Sequence, residues 1–229
     1  MIGTFVNVLA IIAGSFLGYF MRNGIKEEYK ATIIDGLGLS VIIMGIMSTI
    51  KTDNFLLVIA SIVIGSIVGE MIGIEKKLDH LGYKLQVRFG KGDSNFSKGF
   101  ITATLVFCIG AMSIVGSLEA GLTGNYKTLF AKSVLDGVSS IIFASSLGLG
   151  VVFSVFPVFI YQGFITILST HLRELFTPAL INEMSAVGGI LIMGIAFNLM
   201  GIKKIRVSNM LPSLLVPIIF ILAKGYFGF

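Results

Sequence analysis

Uninterrupted apolar stretches long enough to cross a lipid bilayer recur from one end of this 229-residue chain to the other. A spanning helix needs roughly 20 predominantly apolar residues, because about 30 Å of hydrocarbon is covered at about 1.5 Å per residue. Eight runs approach or meet that length: 4–21, 32–50, 54–73, 100–118, 128–147, 151–169, 179–200 and 208–226. They are continuously apolar rather than alternating with period two, so they predict helices and not the strands of a membrane barrel. Only 13% of the chain is charged, against about 25% in soluble domains, so the residues for a wetted surface are missing. With 55% apolar residues and a mean hydropathy of +0.96, the expectation is one all-α integral membrane domain over 1–229 with about eight transmembrane helices. Between the fifth and sixth runs the break is slight, only Gly148-Leu149-Gly150 and then Pro157. We read a tight hairpin there, with a re-entrant pair or one discontinuous helix as alternatives.

Lysine and arginine in short loops set orientation. Arg22, Lys26 and Lys30 fall in the first connection, Lys76, Lys77, Lys84, Arg88, Lys91 and Lys98 in the third, and Lys203, Lys204 and Arg206 in the seventh. On the other side stand Lys51, Lys127 and Arg173, with Lys132 just inside the fifth run and Lys224 near the C-terminus. Twelve against five predicts odd connections in the cytoplasm, both termini outside and an even number of crossings. The implied place is a membrane of the inner (cytoplasmic) type. The segment 75–98 is the one sizeable extramembrane connector, with Leu78, Leu81, Leu85 and Phe89 at helical spacing among its cations. That pattern fits a helix lying on the anionic inner leaflet as well as it fits a solvated connector.

The net charge of +5 lies between apolar runs, which makes it a topology signal and not a nucleic-acid one. Cys108 is the single cysteine, His80 and His171 are the only histidines, and no metal-ligand spacing exists. The start, MIGTFVNVLAIIAG, lacks the positive region of a signal peptide and reads as a retained span. No phosphate-binding loop, zinc signature or serine elbow occurs. The expectation is therefore a non-enzyme without cofactor or metal, and any transport is secondary or passive.

Ile-Met-Gly-Ile occurs twice, at Ile43–Ile46 in the second run and Ile192–Ile195 in the seventh. Aligning the copies matches spans one to three with spans six to eight, five crossings apart, and an odd separation makes the units antiparallel. The connections agree: the first is basic while its mate holds only Arg173 and Glu174. A second echo, Ile33–Ser40 with Val134–Ile141, pairs the second run with the fifth instead. Inverted-topology repeats of this kind place a transporter's site near the midplane.

An ionisable residue inside a span costs roughly 2.5–3.5 kcal/mol on insertion scales, so it is a functional candidate. Asp136 is the foremost, with Lys132, Ser133, Ser139 and Ser140 at three- and four-residue spacing forming one polar stripe. Such a stripe lines a polar pathway, or else it is a local ion pair whose serines bond their own backbone. Glu119, after Ser113 and Ser117, is a candidate mouth of that pathway, and Gln162 and Asn198 are neutral polar groups within spans. Asp35, beside Lys30, is a pathway candidate or an acid favoured by a helix start. Glu70, at the inner end of the third run, can snorkel to water. Gly14/Gly18 and Gly65/Gly69/Gly73 are small-xxx-small series that permit close helix contact. The glycines of the fourth run, Gly110, Gly116, Gly121 and Gly124, suit tight packing first and an interrupted helix second.

Three segments, Cys108–Asn125, Lys132–Gly163 and Gly188–Leu215, resemble the YqgA/YdfK-like family of uncharacterised prokaryotic multi-spanning membrane proteins. The resemblance implies a polytopic bacterial membrane protein and supplies no mechanism. Its segments carry Glu119, Lys132, Asp136, Gln162 and Asn198. Our reading is a secondary transporter or channel for a small ion or metabolite, using spans four, five and seven, in a homo-oligomer within the bilayer. The rivals are a non-transporting membrane partner or assembly protein and an intramembrane enzyme acting on lipid.

The loop charges make a direct prediction. In a Cys108→Ser background, an impermeant thiol reagent outside should label Asp53→Cys and Asn125→Cys but not Lys84→Cys or Lys204→Cys. External labelling at 204 would remove this topology.

Overall fold

A computed structural model describes residues 1–22, 27–90, 94–172 and 176–227. Of the charges used above, Lys26, Lys91, Arg173, Glu174 and the side chains of Lys30 and Lys224 lie outside the described residues. Among the described residues every regular element is helical: α1 (Ile2–Met21), α2 (Glu27–Thr49), α3 (Phe55–Ile72), α4 (Ile74–Phe89), α5 (Phe96–Cys108), α6 (Ala111–Leu122), α7 (Lys127–Leu147), α8 (Val155–Ile167), α9 (Ser169–Leu172), α10 (Pro178–Leu199) and α11 (Val216–Phe227). Two 3-10 segments, Leu149–Ser154 and Val207–Leu215, precede α8 and α11. Local chemistry sets several boundaries. The Asn54 side chain accepts from the Leu57 amide at 3.1 Å to start α3, and Thr177 does the same for Leu180 at 3.2 Å, with Pro178 in the first turn of α10. Gly73, at φ +69°, closes α3 in the left-handed conformation.

Six helices are long and apolar enough to cross a bilayer, and a bent pair makes seven if it is one span. The expected eight are met to that extent. The run expected at 208–226 is a shorter apolar helix, Val207–Ala223, because Pro212 denies it α-helical hydrogen bonding and its first part winds as 3-10. The fourth run is both interrupted and closely packed, since Gly116 rests on Leu129 and Gly121 on Thr166 and Ser169. It bends by 58° between Phe96–Cys108 and Met112–Leu122. Ser113 Oγ donates to the Phe107 carbonyl at 3.0 Å, satisfying an acceptor that the interruption frees.

The chain divides into two compact units. The first comprises Met1–Gly36, Asp79–Cys108 and Met112–Thr170, and α1 is its organiser. Along α1, Gly3 meets Leu129, Gly14 meets Gly137 and Gly18 meets Ile141, so α1 and α7 run parallel. Met1 lies against Gly163, and the Phe5 and Phe159 rings are 5.4 Å apart, so α1 and α8 run antiparallel. It follows that α7 and α8 form a hairpin, turned at Gly148 with φ +82°, as the glycine break suggested. In the second unit, Gly38 meets Met200 and Gly45 meets Met193, making α2 and α10 antiparallel. Gly65 meets Ser213 and Gly69 meets Asn209, which makes α3 and the 3-10 segment before α11 antiparallel.

Exposed faces are apolar, as lipid requires, and the buried ones combine large apolar side chains such as Phe96, Phe107, Phe143 and Leu129 with small and polar ones. Phe5, Leu9, Phe16 and Phe20 of α1, Leu56, Ile59, Val63 and Ile67 of α3, and Phe156, Ile160, Phe164 and Ile167 of α8 all face outward. On α4, Lys76, Lys77, Lys84 and Arg88 are exposed, as are Leu81 and Phe89, whereas Leu78 and Leu85 are half-buried.

The glycine contacts are testable. A Cβ on Gly14 would stand 2.2 Å from the Gly137 carbonyl oxygen, and a backbone cannot yield locally. Gly14→Ala should therefore lower the melting temperature in detergent, by a loss of about 1–3 kcal/mol. Gly36→Ala, where nothing lies within 4 Å, should be neutral or slightly stabilising.

Candidate functional site

The site is built where α1 and α7 cross in the first unit. Lys132 Nζ donates to both carboxylate oxygens of Asp136, at 2.9 Å to Oδ1 and 2.7 Å to Oδ2. One helical turn separates the two residues, so α7 alone brings them together. Asn7 of α1 donates through Nδ2 to Asp136 Oδ2 at 3.0 Å. The three residues are 7%, 6% and 0% exposed, so an ion pair and an amide are shut within one unit of the fold. Two donor groups thus make three hydrogen bonds to the two carboxylate oxygens. The Phe107 and Phe143 rings lie 6.0 Å apart and Gly116 rests on Leu129, so the break after Cys108 falls between those two levels of α7, as Lys132 and Asp136 do.

Above the pair, toward the Met1 end of α1, polar side chains follow one another without partners. Leu129 packs against both Gly3 and Gly116, which puts Thr4 and Ser117 at its level, about one turn from Lys132. Met1 against Gly163 brings Gln162 to that end, and Gly121 against Thr166 and Ser169 closes the series. Thr4 Oγ1, Asn7 Oδ1, Ser117 Oγ, Gln162 Oε1 and Nε2, and Thr166 Oγ1 are all buried with no hydrogen-bond partner among the described residues. An unsatisfied buried polar group costs about 1–3 kcal/mol, so a succession of them is a feature to be explained by what they serve. Below the pair, Ser15 Oγ and Ser146 Oγ are likewise buried with no hydrogen-bond partner among the described residues, and close backbone contact is added. Gly14 and Gly18 press α1 onto the Gly137 and Ile141 carbonyls, backbone to backbone.

The expected residues are only partly brought together. Lys132, Ser133, Asp136 and Ser140 are buried, whereas Ser139 is half-buried. Ser133 Oγ donates to the Leu129 carbonyl and Ser140 Oγ to that of Asp136, both at 2.7 Å, so these serines serve their own helix. Gln162 joins the unpartnered series. Glu119 sits at the α6–α7 turn, half-buried, and accepts from Thr128 Oγ1 at 2.7 Å. Asp35 is exposed on α2. Asn198 belongs to the second unit, where its amide clamps the backbone of Ile205 at 2.8 and 2.7 Å. Glu70, exposed in the same unit, pairs with Arg206 and accepts from Asn209.

Two participants were not legible as such. Asn7 extends the Gly3–Gly14–Gly18 face of α1 one turn from Gly3, and that face was the available signal. Glu183, buried in α10, accepts from Thr52 Oγ1 at 2.6 Å and from the Asp53 amide at 3.2 Å, and so caps the turn after α2. No group of three or more His, Cys, Asp or Glu residues that could hold a metal ion occurs among the described residues.

The pair predicts a characteristic stability pattern. Lys132→Met should cost about 3–5 kcal/mol, since it strands a buried carboxylate, and Lys132→Met with Asp136→Asn should recover most of that loss. Asn7→Ala should cost about 1–3 kcal/mol with Asp136 present and less beside Asp136→Asn. Thermal unfolding in detergent measures all three.

Comparison with known proteins agrees with the membrane character and adds no mechanism. The chain is 37% identical over 232 residues to "Uncharacterized membrane protein YdfK" of Bacillus subtilis (strain 168), covering 100% of this chain and 99% of the relative. It is 30% identical over 220 residues to "Uncharacterized protein YqgA" of Escherichia coli (strain K12), covering 94% of each. No solved structure matches. The family model described as protein of unknown function DUF554 matches residues 2–222, and this multi-pass membrane protein belongs to that family.

Proposed function

We propose that the protein is a transporter or channel that moves a small polar solute by way of the first unit. One observation carries the reading. A buried ion pair stands beside a broken span and is approached from one end by a succession of unpartnered polar side chains. Broken helices beside a buried charged site are the arrangement by which membrane carriers expose backbone and side-chain polar groups to a solute at depth. The second reading is a purely structural pair, favoured by the back-bonded Ser133 and Ser140.

Helix directions support the finer topology. With α2 and α3 crossing between them, parallel α1 and α7 require one further crossing, which α5 and α6 supply together as a single broken span. The last stretch is long enough despite its few residues. Nine 3-10 residues at about 2.0 Å and the eight that follow at about 1.5 Å cover about 30 Å, the hydrocarbon thickness. This gives eight crossings in an inner membrane, and the loop charges put both termini outside. An inverted repeat needs its mates antiparallel, and α1 with α8, α2 with α10, and α3 with the last span each run so. Gly45 of one Ile-Met-Gly-Ile copy rests on Met193 of the other.

The test is flux in proteoliposomes with Lys132→Met/Asp136→Asn, a variant expected to fold. On the transport reading its flux of Na⁺, K⁺, glycerol or urea, whichever the parent protein carries, falls to the level of empty liposomes. A folded double variant with undiminished flux would take the pair off the route.

A further inference from the structure

The groups left free around the ion pair also define what it can receive. Lys132 and Asp136 neutralise one another at 2.7 Å, and both are buried. Transferring an ion to their level would leave one uncompensated charge in a low-dielectric interior, a cost that pairing has already removed for the two side chains. A solute without net charge brings no such cost and needs only its hydrogen bonds met. Asn7 Oδ1 and Gln162 Oε1 are free acceptors, Gln162 Nε2 is a free donor, and the Thr4 and Ser117 hydroxyls act as either. Gln162 is fully buried with both ends of its amide unpartnered, so it presents a donor and an acceptor together.

We propose that the route above Lys132–Asp136 is selective for small solutes with no net charge that carry both hydrogen-bond donors and acceptors, such as a polyol or an amide, with Gln162 as the residue that sets this preference. The proposal rests on the transport reading and adds the substrate class to it. The groups match such a solute as a set. A bare cation would use the carbonyl oxygens and strand the amide donor. An anion would meet Asp136 where it sought Lys132, because the ammonium is already engaged by both carboxylate oxygens.

The experiment compares glycerol, urea and acetamide with Na⁺, K⁺ and Cl⁻ in proteoliposomes, by stopped-flow light scattering for the neutral solutes and by current for the ions. The expected result is permeation of at least one neutral solute above empty liposomes, with no current. Gln162→Met should lower that permeation about tenfold, the effect of one lost hydrogen-bonding group. Ser117→Ala, a smaller change, should lower it in the same direction if Gln162→Met fails to fold. Gln162→Glu, which adds an uncompensated negative charge, should admit K⁺ current. Ion current with neutral permeation at background overturns the substrate class and leaves the transport reading standing. Background flux for every solute overturns both. Neutral permeation unchanged in folded Gln162→Met and Ser117→Ala removes these residues and the proposal with them.

Discussion

Everything in the first unit follows from how closely α1 can approach α7. Gly14 and Gly18 have no side chain to hold the helices apart, and the carbonyls of Gly137 and Ile141 lie where their Cβ atoms would be. At that separation the short amide of Asn7 reaches Asp136 Oδ2. A wider crossing would leave Asp136 with Lys132 alone and open the polar face of α7 to lipid. In a bilayer the hydrophobic effect does not drive helices together, so small residues and polar bonds must do so. Here both kinds lie on one face of α1.

The same face is divided by depth. From Asn7 toward Met1 the buried neighbours include unpartnered hydroxyls and amides, while from Gly14 onward close backbone contacts stand beside the unpartnered Ser15 and Ser146 hydroxyls. The ion pair sits between these two stretches of α1. The break after Cys108 falls between the levels of Leu129 and Phe143 on α7, as the charge pair does.

The membrane character and most span positions were legible because lipid imposes one rule on every spanning residue, and apolar runs obey it directly. Asp136 and Lys132 were legible for the complementary reason, since charge in such a run stands out. Asn7 was not, because one amide in an apolar helix is cheap and unremarkable until its neighbour is known. The break in the fourth run was open to two readings, because glycines serve close packing and interruption alike. The 3-10 start of the last apolar helix depends on Pro212, whose effect on helix type is local and easily absorbed into an apolar count. Asp35 and Asp136 lie in matching octets yet one is exposed and the other buried, so burial and not local sequence separates them.

The spacing of Lys132 and Asp136 has a consequence for how such a protein is made. Because they are four residues apart on one helix, their bond can close as α7 winds, within the translocon or at the bilayer edge, and the segment enters lipid as a dipole rather than as two ions. The bond from Asn7 spans 129 residues of sequence and must wait until α1, inserted long before, is met again. Biogenesis of the site is thus two-stage. Charge is neutralised locally at insertion, and the amide arrives later, when α1 and α7 dock and fix the carboxylate's orientation.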